Sequence, residues 1–212
     1  MPPPTDLKTR DRLRTQAAIL RAAREVLAQS GFQGFGINAV ARRAGCDKQL
    51  IYRYFGGVEG LVDAIGTDIA TWVEDSLAAT GETPPSTYAE LAERLILGFL
   101  EALRANVLIQ RIAAWEIAVP SPLVNRLSAA RSEALSRWVV GMRGALTPPA
   151  GCDAPALNAF LVAAVQQLVL SSSAAGHFAG VALRSEADWD RIRATALLIV
   201  HHLYGVPDGR QA

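Results

Sequence analysis

The chain has 212 residues, half of them apolar and 19% charged, which is enough for one large or two small domains with buried cores. This composition excludes a disordered tail and favours helices. The longest apolar runs are shorter than a membrane span of about 18 residues, and the first residues lack the apolar segment of a signal peptide. Two cysteines, Cys46 and Cys152, exclude a disulfide framework and a cysteine-rich zinc site. We therefore expect a cytoplasmic, all-α protein with no membrane partner.

Hydrophobic periodicity predicts about nine helices. The first four are expected at 12–30, 37–44, 47–55 with Asp47 as N-cap, and 58 to about 80. The other five are expected at 88–103, 106–119, 121–146, 155–178 and 186–204. Glycines and prolines separate these segments, and no segment shows the sustained alternation of a strand. The expected fold is a bundle without a sheet.

Charge is distributed unevenly along these helices. Residues 1–60 carry a net charge of +5, and residues 61–212 carry −4. A basic N-terminal segment joined to an acidic, apolar body suggests a polyanion-binding module on a separate scaffold, although uneven solvated faces would give the same count.

The second and third predicted helices fit a helix-turn-helix. That motif needs a small residue where the helices cross, a residue that tolerates positive φ in the turn, and apolar contacts on both sides. Ala41 and Gly45 meet the first two requirements, and Val40 with Ile51 meets the third. The outward side chains of the third helix would then contact DNA, whereas in an ordinary helical hairpin they would only be solvated.

The predicted DNA contacts divide into base-reading and phosphate-binding residues. Lys and Gln can read base edges, Arg can reach bases or phosphates, and tyrosine hydroxyls can bind phosphate oxygens. The predicted base readers are Lys48, Gln49, Leu50 and Arg53. The predicted phosphate contacts are the backbone N–H of Gly36 and the side chains of Arg43, Tyr52 and Tyr54.

If residues 84–178 form a small-molecule pocket, it should have apolar walls and a few convergent polar groups. The candidate walls are Phe99, Leu103, Ile112, Trp115, Trp138 and Met142. The candidate polar groups are Arg131 and two that interrupt the penultimate helix, Gln166 and His177. Each of these side chains could instead belong to an ordinary core or to a hydrogen bond satisfied within the fold.

The penultimate helix is apolar around most of its circumference between Leu157 and Leu170 and needs cover on every side. The last helix offers a companion apolar stripe. We expect a contact between two subunits in which each contributes two helices, with a central helix of a monomeric bundle as the alternative. The predicted contact residues are Phe160, Val165, Leu168, Trp189, Ile192, Ala196, Ile199 and Leu203.

Catalytic and metal sites are not expected. The three histidines, His177, His201 and His202, lack the i, i+4 spacing of helical metal ligands. No glycine-rich phosphate loop follows a strand, and no Gly-x-Ser-x-Gly elbow occurs. Cys46 beside Lys48 fits either a redox-sensitive thiol or a small packing residue. We expect no cofactor and no enzymatic activity.

The N-terminal region contains a longer pattern. It runs Ala23-Ala-Arg-Glu-Val-Leu, Gly31-Phe, Ile37-Asn-Ala-Val-Ala-Arg-Arg-Ala-Gly45, Leu50-Ile-Tyr52-Arg-Tyr-Phe55 and Glu59-Gly-Leu61. This pattern resembles the N-terminal signature of the TetR/AcrR family of bacterial transcription regulators over about residues 12–65. The resemblance implies a homodimeric, usually repressive regulator in which an effector-binding body controls the spacing of two DNA-reading heads.

We therefore expect a DNA-binding domain at residues 1–57 and an effector-binding and dimerisation domain at residues 58–212. The expected partners are a palindromic double-stranded operator, a second copy of the chain and an unknown small-molecule effector. The alternative is a helical small-molecule-binding protein whose DNA binding is weakened or lost.

Three positions depart from the family pattern. Gly36 stands where the family usually has a Ser or Thr cap, Val58 stands where it usually has Lys, and Asp47 adds an acid near the DNA. These departures suggest weaker nonspecific DNA affinity. A basic N-terminal arm, residues 8–14, offsets this in part if it follows phosphates or a minor groove, and does not if it is a disordered terminus.

Overall fold

The computed structural model describes residues 4–78 and 83–205, and over these residues the expected all-α class is confirmed. The described part of the chain forms α1 (Pro4–Gly34), α2 (Ile37–Ala44), α3 (Lys48–Phe55), α4 (Val58–Ala78), α5 (Tyr88–Ala105), α6 (Val107–Ala118), α7 (Pro122–Arg143), α8 (Ala154–Ala175) and α9 (Glu186–Tyr204). A small antiparallel hairpin, β1 (His177–Phe178) and β2 (Val181–Ala182), lies between α8 and α9. The predicted end of the fourth helix near residue 80 lies outside the described residues.

The chain divides into two compact units. The first comprises residues up to Thr71 together with Leu108–Leu135, and the second comprises Trp72–Val107 together with residues from Ser136 onward. The unit that contains the helix-turn-helix is therefore larger than residues 1–57. The functional boundary after residue 57 stays a prediction.

In the first unit, α1 begins at Pro4, earlier than the predicted Arg12, and its helical geometry is interrupted at Gly31 (φ 62°, ψ −172°). The buried face of α1 runs through Ile19, Ala23 and Leu27. Leu13, which the sequence placed on the apolar stripe, is 60% exposed. Residues near the start of α1 therefore lie on a helix rather than on a flexible arm.

In the second unit, α5 packs on both α8 and α9. The core between these helices contains Leu91, Ile96, Leu100, Leu103, Leu161, Val169 and Val200, all of them buried. The Arg104 guanidinium lies 4.4 Å from the ring centre of Trp189 and pairs with Glu186, so that charged contacts also hold α5 to α9. A capping box formed by Ser185 and Asp188 begins α9.

The end of α8 differs from the prediction. Gly176 adopts φ 74° and donates its N–H to the carbonyl oxygens of Ser171 and Ser172, which ends α8 at Ala175 rather than Phe178. His177 therefore lies on the exposed hairpin and does not interrupt a helix. The two turn residues, Ala179 (φ 47°) and Gly180 (φ 80°), both have positive φ, as a type I′ hairpin requires. Strands of two residues are too short to produce a recognisable alternation.

The 22 residues of α8 have the length and mean hydropathy of a membrane-spanning helix, but only 22% of an apolar 18-residue stretch of this helix is buried. Gln166 and Gln167 divide the apolar sequence of this helix, so that no uninterrupted apolar run reaches the length of a membrane span. A large part of its surface therefore has no cover within the described chain.

Candidate nucleic-acid interface

The predicted helix-turn-helix forms from α2 and α3. Val40, Ala41 and Ile51 are buried between the helices, as expected. Gly45 has φ 64° and ψ 35°, and the following N–H, of Cys46, donates to the Ala41 carbonyl oxygen at 3.1 Å. The left-handed conformation at Gly45 ends α2 and turns the chain into α3, so the role predicted for this glycine is confirmed.

Asp47 caps α3 as predicted. Its Oδ1 accepts a hydrogen bond from the Gln49 N–H at 2.7 Å. A carboxylate here stabilises the positive end of the helix. Because Asp47 is exposed at the start of α3, it also places a negative charge on the surface that DNA would approach.

The outer face of α3 carries most of the predicted DNA contacts. Lys48, Gln49, Tyr52 and Arg53 are all exposed, and their spacing places them on one side of the helix. Leu50 is half-buried and therefore less accessible than predicted for a base-reading residue. These exposed side chains can reach base edges and phosphates once α3 lies in a major groove.

Two of the predicted phosphate contacts have environments that the sequence did not reveal. The Nε of Arg43 lies 2.6 Å from the Glu25 Oε2 on α1, so that its charge is already paired within the protein. Gly36 is extended (φ −179°), and α2 has no side-chain cap there. A Cβ atom at Gly36 would meet nothing within 4 Å, so glycine is not sterically required at this position.

The environment of Cys46 argues against redox sensing. Burial, and next the negative charge of Asp47, raise the pKa of the Cys46 thiol. The thiolate is the reactive form of cysteine, so a raised pKa favours the packing interpretation.

Within the first unit, α6 contacts α1 at its break. A Cβ atom on Gly31 would lie 2.7 Å from Trp115 Cδ2 and 2.8 Å from Cε3. The indole of Trp115, predicted as an effector-pocket wall, therefore packs directly against the backbone of α1. The next residue, Glu116, accepts from the Arg131 Nη1 with both carboxylate oxygens, at 2.8 and 2.7 Å. Arg131, the predicted polar pocket group, thus has a protein partner that joins α7 to α6.

Sequence reasoning missed the contact between α4 and α7 in the same unit. The Arg126 Nε and Nη2 lie 2.6 and 2.7 Å from the two carboxylate oxygens of Asp63, and its Nη1 lies 3.0 Å from Glu59. A Cβ atom on Gly66 would lie 2.7 Å from the Leu127 carbonyl oxygen, so the two helices touch through their backbones. The i, i+4 spacing of Glu59 and Asp63 was the available signal, but it does not identify the arginine.

The other predicted effector residues are divided between the two units. Ile112 belongs to the first unit and is buried. In the second unit, Leu103 is buried, His177 is exposed, and four are half-buried: Phe99, Trp138, Met142 and Gln166. The exposure of His177 removes it from any apolar wall. The effector pocket itself stays a prediction.

The predicted subunit-contact residues lie on both faces of α8 and α9. Val165 and Trp189 are 3% exposed and pack inside their own bundle, which corrects their assignment to a contact with a second chain. Phe160 and Ile199 are exposed, whereas Leu168, Ile192, Ala196 and Leu203 are half-buried. Leu198, which the sequence did not select, is 71% exposed beside Ile199. The outward surface thus contains only part of the predicted set.

A groove of about 690 Å³ opens on the same two helices. Its lining includes Pro149 in the loop before α8, Leu157 and Phe160 near the start of α8, and His202 and Leu203 near the end of α9. Phe160 is 74% exposed at this site. Two of the predicted subunit-contact residues, Phe160 and Leu203, therefore border a concave apolar surface.

A helix-turn-helix with an exposed second helix, joined to further helices, is typical of DNA-binding transcription regulators. Residues 19–65 match the family model described as bacterial regulatory proteins, tetR family. The chain is 29% identical over 191 residues to an uncharacterized HTH-type transcriptional regulator of Mycobacterium tuberculosis, covering 76% of this chain and 89% of the relative. Residues 19–65 are therefore a helix-turn-helix region of the TetR type, and the chain as a whole is similar to transcriptional regulators that contain one.

Solved structures share the fold. GusR of Salmonella enterica matches with a TM-score of 0.65 at 16% identity, covering 92% of this chain and 97% of that chain. FadR of Bacillus subtilis, in complex with stearoyl-CoA, matches with a TM-score of 0.64 at 15% identity, covering 90% and 99%. A TetR family regulator from Marinobacter aquaeolei matches with a TM-score of 0.62 at 18% identity, covering 92% and 97%.

Proposed function

We propose that the protein is a cytoplasmic, homodimeric repressor that binds a near-palindromic operator through α3 and leaves it when a small molecule binds its helical body. The observation that carries this proposal is the outer face of α3. Lys48, Gln49, Tyr52 and Arg53 are exposed together, while Ile51 anchors the opposite side in the core. A helix held in this way can place its side chains in a major groove.

A second candidate function is a small-molecule-binding protein with weak DNA affinity. Arg43 is paired with Glu25, Asp47 is an exposed acid, and Gly36 provides no hydroxyl for a phosphate. Each feature lowers the electrostatic attraction to DNA or removes a phosphate contact. The affinity and its salt dependence distinguish the two functions.

The test is selection of binding sites from a random pool of duplexes, followed by titration at two salt concentrations. An operator contacted through several phosphates loses affinity steeply as salt rises, with a slope of about −0.9 per phosphate in log–log form. Recovery of a near-palindromic site bound by two chains supports the repressor. Failure to enrich any site at low salt supports the second candidate.

A homodimer is supported by the outward surface of α8 and α9. Phe160 and Leu198 expose about three quarters of their surface, and a two-fold contact would cover this surface on both copies at once. Two heads that read successive major grooves need a separation of about 34–36 Å, which a dimer provides. The flanking Asp190, Arg191 and His202 of α9 are exposed polar groups, which favours a protein partner over lipid as the cover.

Sedimentation of Phe160→Glu and Leu198→Glu tests the dimer. The control is Ile117→Glu on α6, because Ile117 is also largely exposed, at 64%. We expect the first two variants to sediment as monomers and the control to behave as the parent protein. A monomeric parent protein that binds lipid vesicles would instead show that a membrane covers α8.

For release from DNA, we propose that α6 transmits the conformational change caused by the effector to α1 of the DNA-binding unit. Trp115 contacts α1 at Gly31, and Glu116 holds Arg131 of α7. An effector that favours a different position of α6 would shift the equilibrium between two arrangements of α1. The size of this shift is limited by the difference in the effector's affinity for the two arrangements. FadR of Bacillus subtilis, which shares this fold, was solved in complex with stearoyl-CoA, and this supports a small-molecule effector for the chain. A thermal-shift screen, repeated with operator present, would identify compounds that bind and release DNA.

A further inference from the structure

The early turns of α1 lie beside α3. Residues 12, 16, 19 and 23 share one face of the helix, and Ile19 and Ala23 on that face are fully buried. Arg12 continues this face towards the N-terminal end of α1. There the Cζ atom of Arg12 lies 5.7 Å from the centre of the Tyr54 ring on α3.

A second arginine approaches the same ring. The Arg53 Cζ lies 5.9 Å from the ring centre of Tyr54. The Tyr54 ring is half-buried, and its attraction to each guanidinium is modest beside the mutual repulsion of the two positive charges. Within the described residues, neither Arg12 nor Arg53 forms an ion pair with a carboxylate, whereas Arg43 and Arg126 of the same unit both do. Two positive groups thus lie at the same ring, and no acid of the described residues pairs with either of them.

This cluster has the chemistry of a phosphate site. Guanidinium N–H groups donate to anionic oxygens in a forked arrangement, and the phenol hydroxyl of Tyr54 supplies another donor. Protein contacts to the DNA backbone use these groups and fix the position of a reading helix on the duplex. Because Arg53 and Tyr54 are part of α3, a phosphate bound here would hold α3 and α1 against the same strand.

We propose that Arg12, Arg53 and Tyr54 bind one phosphate of the DNA backbone, so that α1 is a second DNA-contacting element beside α3. The proposal rests on DNA binding by the helix-turn-helix and adds a contact outside it. It also gives a structural role to residues near the start of α1, which the sequence alone could equally place in a disordered terminus.

The helix provides a matched control. Arg14 has the same charge and is exposed like Arg12, but two residues further along a helix lie about 200° around its axis. Arg12→Ala and Arg14→Ala therefore remove one charge each from opposite sides of α1. The experiment measures the affinity of both variants for the selected operator and for a random duplex at several salt concentrations.

We expect Arg12→Ala to bind both duplexes more weakly, by up to about eightfold at 0.1 M salt, and to lower the log–log salt slope by up to about 0.9, because the phosphate then keeps only Arg53 and Tyr54 as partners. The equal loss on both duplexes follows because a phosphate carries no sequence. Arg14→Ala should keep the slope of the parent protein. Arg12→Lys should keep most of the slope, since the charge remains, but recover only part of the affinity because the fork is lost.

Equal behaviour of Arg12→Ala and Arg14→Ala, or an unchanged slope in Arg12→Ala, would overturn the phosphate site while leaving operator binding intact. A parent protein that binds no DNA at any salt concentration would overturn operator binding, and the phosphate site with it. Unfolding curves of the variants should match that of the parent, because Arg12 is exposed.

Discussion

Replacing Gly31 with alanine should destabilise the first unit strongly, because two separate costs meet at this position. Gly31 has φ 62° and ψ −172°, a region that is essentially restricted to glycine and costs other residues about 1–3 kcal/mol. The new Cβ atom would also lie 2.7–3.0 Å from three atoms of the Trp115 indole. Forcing a methyl group into a packed contact costs about 1–3 kcal/mol more. We therefore expect a loss of roughly 2–6 kcal/mol in the free energy of unfolding.

Gly45→Ala is the matched control. Gly45 also has positive φ, at 64°, but a Cβ atom there would meet nothing within 4 Å. Its cost should be limited to the left-handed backbone, about 1–2 kcal/mol. The difference between the two losses in unfolding free energy therefore measures the indole contact at Gly31 together with any larger backbone penalty there.

Urea unfolding followed by circular dichroism measures both variants, and a third variant separates the two terms at Gly31. Trp115→Ala removes the indole, so Gly31→Ala should cost less in that background than in the parent protein. The same variants should alter operator affinity if α6 acts on α1 through this contact. A Gly31→Ala cost no larger than that of Gly45→Ala would refute the packing argument. A cost unchanged by Trp115→Ala would assign the whole effect to the backbone.

Three further predictions concern capping and pH. Gly36→Ser should raise the free energy of unfolding by a few tenths to about 1 kcal/mol, since serine caps α2 and restricts the unfolded chain. Thermal unfolding measures this gain in stability. A loss of stability would mean that the extended backbone at Gly36 does not tolerate a side chain. Hydrogen bonds from the Ser86 N–H and hydroxyl, and then from Arg94, lower the pKa of Glu90 to about 2. The stability that this carboxylate contributes is therefore present above its unfolded pKa of about 4.5 and is lost as pH falls towards 2. Unfolding measured at several pH values should show a weaker acid dependence in Glu90→Gln than in the parent protein. Identical pH profiles would contradict these hydrogen bonds as the cause. Burial raises the pKa of Tyr204 to about 12. Folding stability should therefore fall between pH 10 and 12, because the phenol ionises first in the unfolded chain. Unfolding at alkaline pH should show that this loss is absent in Tyr204→Phe.

The helix-turn-helix could be predicted from the sequence because its physics is local. Gly45 is needed where a chain must turn with positive φ, Asp47 caps the helix that follows it, and Ala41 and Ile51 are separated by few residues. Interactions of this kind depend on neighbours along the chain, so a short pattern contains most of the information. The same holds for the all-α class, which follows from periodicity over long segments.

The direction in which an amphipathic or uniformly apolar helix faces could not be predicted in this way. Val165 and Trp189 point into their own bundle, while Leu198 points outward, because α5 covers one side of α8 and α9. Periodicity on a helix that is apolar nearly all round does not distinguish these sides. The hairpin after α8 was missed because its strands have two residues each.

The tertiary structure alone decided which charged and apolar groups meet across the chain. Arg43 pairs with Glu25, Arg131 pairs with Glu116, and Trp115 packs on Gly31, each joining residues 15 or more positions apart. Sequence determined which residues could be exposed cations, caps or apolar anchors. Their partners follow from the packing of helices on one another, since the energy of an ion pair or a buried indole depends on distances that no local pattern specifies.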